Sequence, residues 1–214
     1  MISQGSSALK IAIRSENEAD HLSVDVLTRE AFWNLYRPGC DEHFTTHLIR
    51  GHGDFLPDLT FVAEVDGEIV GSIICTRSWV NDEFGERVET ATFGPLCVHP
   101  TWQRRGVGSA LIGHSRTLAA EKGYPAIIIL GDPHNYCKHG FKTGKDLGVC
   151  TLDGKYPWDC WCWNCVRAFL LLADNGNSRP VRCTSLTPPK WRCTTHAFRP
   201  RKRSISTRKN CFPC

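Results

Sequence analysis

The sequence predicts an α+β domain: a mixed, mostly antiparallel sheet with helices packed on it. Three observations lead there. Residues 59–65, 69–80 and 87–98 read as consecutive strands joined by short turns. Residues 106–122 carry apolar side chains at helical spacing (Val107, Ala110, Leu111, His114, Leu118). Residues 124–130 then form an unbroken apolar run, the pattern of a strand buried on both faces.

Taken in order, residues 9–14 alternate apolar and polar and suit a first strand. Ser15 followed by Glu18 resembles a capping box, so a helix is expected from there to about Tyr36, before Pro38. A second helix is expected over 41–50, ended by Gly51, Gly53 and Pro57. Asp66-Gly67 is a two-residue hairpin signal between the next two strands, and 81–86 is the turn after them. Pro95 cannot donate to a ladder, so it marks an edge or a bulge in the strand 87–98. Gly123 stops the long helix, and 132–139 is a short helix with Pro133 in its first turn.

A chain of 214 residues is long enough for one real core plus an appendage. The charge is split unevenly. Residues 1–150 carry 14 Lys+Arg against 19 Asp+Glu, and the remainder 12 against 3, giving −5 and +9 within the net +4. No glutamate follows Glu121, and eight of the twelve cysteines fall from Cys150 onward. The first part reads as a cytoplasmic enzyme with reduced thiols. No signal peptide is evident, and the apolar runs 126–130 and 168–173 are too short to span a bilayer. No membrane partner is expected.

The most informative stretch is 94–109, Gly-Pro-Leu-Cys-Val-His-Pro-Thr-Trp-Gln-Arg-Arg-Gly-Val-Gly-Ser. A strand breaks at Pro100 and presents Gln103, Arg104, Arg105, Gly106, Val107, Gly108 and Ser109 at the mouth of a helix. Main-chain N–H groups at a helix start lack internal partners and sit at the positive end of its dipole, so the segment is an anion cradle. Gly106 and Gly108 allow close approach of a phosphate, and the two arginines can pair with it.

This segment resembles the acetyl-coenzyme A motif of the GNAT superfamily of N-acetyltransferases, Gln/Arg-x-x-Gly-x-Gly/Ala after a strand ending in Val-x-Pro. Leu130-Gly131-Asp132-Pro133, Tyr136 and Gly140-Phe141 are similar to its YhbS-like branch. The resemblance covers about 9–157. It implies the GNAT fold with a bulged strand splayed from its parallel neighbour, acetyl-coenzyme A as co-substrate, no metal, and transfer of an acetyl group to a primary amine by direct attack. A different class, a non-catalytic acyl-coenzyme A-binding or regulatory module, shares the same motif.

For such a transfer the thioester must be held, the oxyanion stabilised and the leaving thiolate protonated. Main-chain groups of Leu96, Cys97 and Val98 can hold the pantetheine arm like an added strand, and an N–H there can face the oxyanion. Cys97 itself reads as a small apolar strand residue. Tyr136 is the candidate catalytic acid, by resemblance to the family's Tyr-x-x-x-Gly-Phe segment. Its phenol can give a proton to a departing thiolate. The base is open. The position where some family members carry a glutamate is Thr92; Glu89 has the wrong strand parity unless the bulge shifts it, and Glu83 and Glu86 lie in a turn. A water relay serves equally well. His99, between Val98 and Pro100, reads as a turn histidine.

The chain divides into 1–157 and a tail, 158–214, that departs from the family. It opens Trp158-Asp159-Cys160-Trp161-Cys162-Trp163 and ends near Arg199-Pro200-Arg201-Lys202-Arg203. Cys162/Cys165, Cys193/His196 and Cys211/Cys214 have pairwise zinc spacing. The basic run with Trp191 could suit nucleic acid. The abrupt loss of glutamate with a burst of Cys, Trp and Arg favours a third reading, translation out of frame, with a poorly packed tail and an incomplete final hairpin. A nucleic-acid partner is not expected, and a homodimer is compatible with the sequence.

Overall fold

The computed structural model describes residues 9–81, 87–147, 149–151, 160–164 and 181–183. Strand β1 (Ala12–Ser15) leads to helices α1 (His21–Phe32) and α2 (Glu42–Arg50). Strands β2 (Phe61–Val65), β3 (Glu68–Asn81) and β4 (Arg87–Val98) follow, then helix α3 (Val107–Glu121), strand β5 (Ala126–Leu130) and the short helix α4 (Pro133–Tyr136). Strands β6 (Lys142–Thr143), β7 (Val149–Thr151), β8 (Cys160–Asn164) and β9 (Val181–Cys183) complete the described strands.

The sheet runs β1-β2-β3-β4-β5-β8-β6, with β9 beside the end of β3 and β7 beyond it. Neighbours β1 to β4 are antiparallel, and β4 and β5 are parallel. The mixed sheet with flanking helices is therefore the predicted class. Asp66 and Gly67 both have positive φ (52° and 85°), the mirror-image turn that matches strand twist in a two-residue hairpin.

Local signals placed most elements, with instructive shifts. The helix start is not at Ser15, which ends β1. Asn17 is the cap: its Oδ1 accepts from the Ala19 N–H at 3.0 Å, while the Asp20 carboxylate accepts from the Asn17 N–H at 2.9 Å. Asp20 also accepts two bonds from Arg14, at 2.6 and 2.9 Å, and Arg14 reaches Glu64 as well. The guanidinium holds the Asp20 carboxyl below its ordinary range. Helix α1 stops at Phe32 rather than Tyr36, because Asn34 takes a left-handed φ of 57° and its side chain accepts the Gly39 N–H at 2.8 Å.

One face of the sheet packs under α3. Phe61, Ala63, Ile73, Cys75, Ala91, Phe93, Ile127 and Ile129 meet Val107, Leu111, Ile112 and Ala119 there. The approach is close: a methyl at Gly71 would stand 2.8 Å from the Val107 side chain. Helices α1 and α2 contact each other, and α1 contacts β3 and β4. The buried Thr28 hydroxyl of α1 lies 3.5 Å from the Cys97 sulfur.

Of the tail, residues 160–164 and 181–183 are described, and both are strands. Strand β8 runs antiparallel to β5 over its whole length and also pairs with β6. This fills the place beside β5 where the sequence suggested an incomplete hairpin, and the alternating Trp residues of 160–164 suit a strand. The turn 82–86, the basic run near the C-terminus and the pairs ending in Cys165, His196 and Cys214 lie outside the described residues. Among the described residues no helix is long and apolar enough to cross a membrane, and no three metal-ligating side chains cluster.

Candidate functional site

The site is built where β4 and β5 part. They are in parallel register at one pair, Ala91 opposite Ile127. At the next residue the Thr92 hydroxyl donates to the Ile128 carbonyl. Beyond this pair β4 bulges. Ile73 faces Leu96 and Cys75 faces Phe93, so β4 spends one residue more than β3 across the step that contains Gly94 and Pro95. The Gly94–Pro95 peptide is cis, and Gly94 has a φ of 152°. The predicted bulge is thus observed at Pro95, and it turns the end of β4 away from β5.

Strand phase decides which main-chain groups face the resulting gap. The His99 N–H donates to the Val70 carbonyl at 2.9 Å, so His99 and, two residues back, Cys97 face β3. Leu96 and Val98 turn their N–H and C=O groups the other way. The Val98 carbonyl accepts from Gln103 Nε2 at 3.2 Å, which ties the strand end to the following loop. Of the three residues expected to line the gap with their backbone, Leu96 and Val98 have the right phase and Cys97 does not. Its thiol is buried, and burial pushes its pKa up to about 11. A thiol so held stays protonated. Cys97→Ala is expected to leave turnover within about twofold, because the Thr28 hydroxyl keeps its bond to the Val24 carbonyl. A tenfold loss in a steady-state assay would give the sulfur a chemical role.

The loop after β4 makes the cradle. Gly106 caps α3 with a φ of 91°, a region that disfavours a side chain. No side chain caps this helix, and the first loop-to-helix bond is from the Ala110 N–H to the Gly106 carbonyl. The N–H groups of Val107, Gly108 and Ser109 therefore sit before the internal ladder begins, the arrangement that receives an anion. The Val107 side chain is buried in the core and anchors the turn, so only its N–H belongs to the cradle. Gly108 faces the Val98 side chain, where a methyl would lie at 3.6 Å. Gln103, Arg104, Arg105 and Gly106 are exposed, and the Arg105 guanidinium rests over the Trp102 ring at 5.1 Å.

The third wall is aromatic. Tyr136 lies 6.0 Å from Phe93 of β4 and 5.9 Å from Phe141, ring centre to ring centre. Phe93 and Phe141 are themselves 6.0 Å apart, edge to face. Arg116 of α3 donates to the His139 carbonyl and secures the segment that follows Tyr136. Burial pushes the Tyr136 phenol up to about 12, helped by Tyr36 and Asp132. It is therefore protonated at neutral pH.

The other candidates fall elsewhere. Glu89 pairs with Arg77 at 3.0 Å, on the stretch of β4 before the bulge, so the bulge does not shift its parity. Glu83 and Glu86 lie outside the described residues. Both nitrogens of His99 are engaged: Nδ1 lies 2.8 Å from the Thr101 hydroxyl and Nε2 3.2 Å from Glu30 of α1. This pair borders a groove of about 590 Å³ lined by Arg29, Glu30, Trp33, His99 and Pro100. Thr92, which cannot act as a base, is a latch at the fork, a role that residue type and spacing did not signal.

The sequence and the fold of this chain are matched by known proteins. Residues 57–143 match the family described as acetyltransferase (GNAT) domain. Over that stretch the chain carries a GNAT domain. The chain is 31% identical over 101 residues to the uncharacterized N-acetyltransferase YjhQ of Escherichia coli, covering 47% of this chain and about half (52%) of that relative's length. To the uncharacterized N-acetyltransferase YhbS of E. coli it is 27% identical over 130 residues, 61% of this chain and 72% of the relative. The crystal structure of E. coli YhbS in complex with CoA has the same fold, with a TM-score of 0.66 at 24% identity over 85% of this chain and 93% of that one. A GNAT acetyltransferase of Brucella melitensis in complex with acetyl-CoA has a TM-score of 0.56 at 24% identity, covering 72% and 88%.

Proposed function

We propose that this GNAT domain transfers the acetyl group of acetyl-coenzyme A to a primary amine by direct attack. The observation that carries the reading is the gap between β4 and β5, with the outward-facing main chain of Leu96 and Val98 on one side and the uncapped start of α3 at its end. The relatives solved with CoA and acetyl-CoA support the choice of cofactor.

In this reading the pyrophosphate lies on the N–H groups of Val107, Gly108 and Ser109, with Gln103, Arg104 and Arg105 around it. The pantetheine arm runs along β4 and exchanges hydrogen bonds with Leu96 and Val98. The amine nitrogen attacks the thioester carbonyl carbon, an N–H near the bulge stabilises the oxyanion, and the C–S bond breaks. The sulfur takes its proton from the Tyr136 hydroxyl, the new amide sheds its extra proton to water, and water returns a proton to the phenolate. The phenol, pushed up to about 12 by burial, keeps its proton until the thiolate forms, and the thiolate is the base it serves.

The test is calorimetric binding of coenzyme A to the full chain, followed by mass-spectrometric detection of acetylated products from a panel of amines. Gly106→Ala forces a side chain into left-handed φ at about 1–2 kcal/mol, and should weaken coenzyme A binding roughly tenfold. Undetectable binding to the wild type would end the reading. Binding without acetylation of any amine would leave the domain a coenzyme A-binding module.

A further inference from the structure

We propose that Gly131 is a positioning residue for Tyr136: the absence of a side chain there is the seat on which the phenol rests. The inference builds on the acetyl-transfer reading, in which Tyr136 hands its proton to the leaving sulfur. Gly131 directly follows Leu130, the last residue of β5, so the sheet fixes where it stands. A methyl group at this position would lie 2.6 Å from Tyr136 Cε2, 3.2 Å from its hydroxyl oxygen and 3.3 Å from Cζ. The three nearest atoms all belong to Tyr136. The first distance is far inside van der Waals contact, and the second involves the oxygen that carries the proton.

Gly131 does not have the positive φ found at Gly94, Gly106, Gly123 and Gly140. An alanine there is acceptable to the backbone, so what glycine supplies is space for the ring. The ring cannot yield inward. Phe93 and Phe141 bracket it at 6.0 and 5.9 Å and are 8% and 3% exposed. A side chain at 131 therefore drives the phenol outward, away from the fork between β4 and β5. Gly131 itself touches no substrate in this arrangement and acts through Tyr136.

The experiment compares the full-length wild type with Gly131→Ala, Tyr136→Phe and the double variant. Acetyl-CoA cleavage, by water or by the best amine of a panel, gives turnover, and calorimetry gives coenzyme A affinity. Tyrosine labelled with ¹³C at Cζ reports the ring by NMR, with the Tyr136 resonance assigned from its loss in Tyr136→Phe. Gly131→Ala should lower kcat about tenfold, a part of what a general acid contributes, with KM and coenzyme A affinity unchanged. It should move the Tyr136 resonance and leave that of Tyr124 in place. In the Tyr136→Phe background it should cost no further turnover, since the hydroxyl whose position it disturbs is gone. An unmoved Tyr136 resonance would overturn the seat itself. A shifted resonance with undiminished turnover, where Tyr136→Phe is impaired, would overturn its catalytic relevance. Full turnover by Tyr136→Phe would instead remove the acid role on which this inference builds.

Discussion

Tyr136→Phe is expected to lower kcat about 100-fold, the lower end of what a placed general acid supplies, and to leave coenzyme A affinity within about twofold because the ring stays in place. The aromatic packing with Phe93 and Phe141 does not need the hydroxyl, so thermal stability should hardly change. Without the phenol the thiolate must leave unprotonated or draw on water. The phenol of the wild type is pushed up to about 12, chiefly by burial. It stays protonated throughout the accessible pH range, so loss of activity between pH 8 and about 10 should not come from this group. Steady-state kinetics of both proteins across that range checks both points. Equal kcat values would show that solvent protonates the sulfur.

Arg50→Met is expected to destabilise the fold by about 3 kcal/mol, the cost typical of breaking a buried ion pair from one side. Arg50 ties the end of α2 to α1 and to the residue that follows β1. Its Nη2 donates to Glu16 at 2.7 Å and its Nη1 to Asp25 of α1 at 2.7 Å, while Nε reaches Glu16 at 3.4 Å. The Arg50 and Glu16 side chains are 7% and 2% exposed, so removing the cation strands a carboxylate that water cannot reach. Asp25, at 22% exposure, can recover solvent and adds less. For a domain of this size the loss corresponds to roughly 10 °C in Tm. Adding Glu16→Gln should restore part of it, because the pair is coupled. Urea unfolding of the single and double variants measures this, and a loss under about 1 kcal/mol would show that the pair is surface-like.

Much of the geometry proposed here for the cofactor was legible in the sequence, because it is local. A glycine that tolerates left-handed φ, three main-chain donors and a helix dipole come from one short run, 103–109, and need no distant partner. Pro95 narrowed its position to an edge or a bulge for the same reason: a residue without an N–H cannot hold its place in a ladder. Even local signals were ambiguous where two patterns overlapped. Ser15 with Glu18 and Asn17 with Asp20 both fit a capping box, and the second prevailed because Arg14, itself bonded to Glu64, holds Asp20 in place.

The sequence by itself determined the class of fold, the edge or bulge at Pro95 and the glycine-bearing helix start, since each depends on patterns a few residues long. Tertiary structure decided which groups meet there. The phase of the β3–β4 ladder, set by the His99 to Val70 bond, divided Leu96 and Val98 from Cys97. The fork at Thr92, the contact of Gly131 with Tyr136 and the clasp of Arg50 on Glu16, 34 residues away, arise only once strands and helices are packed. Such contacts follow from shape and register across the whole sheet, which no local pattern of residues encodes.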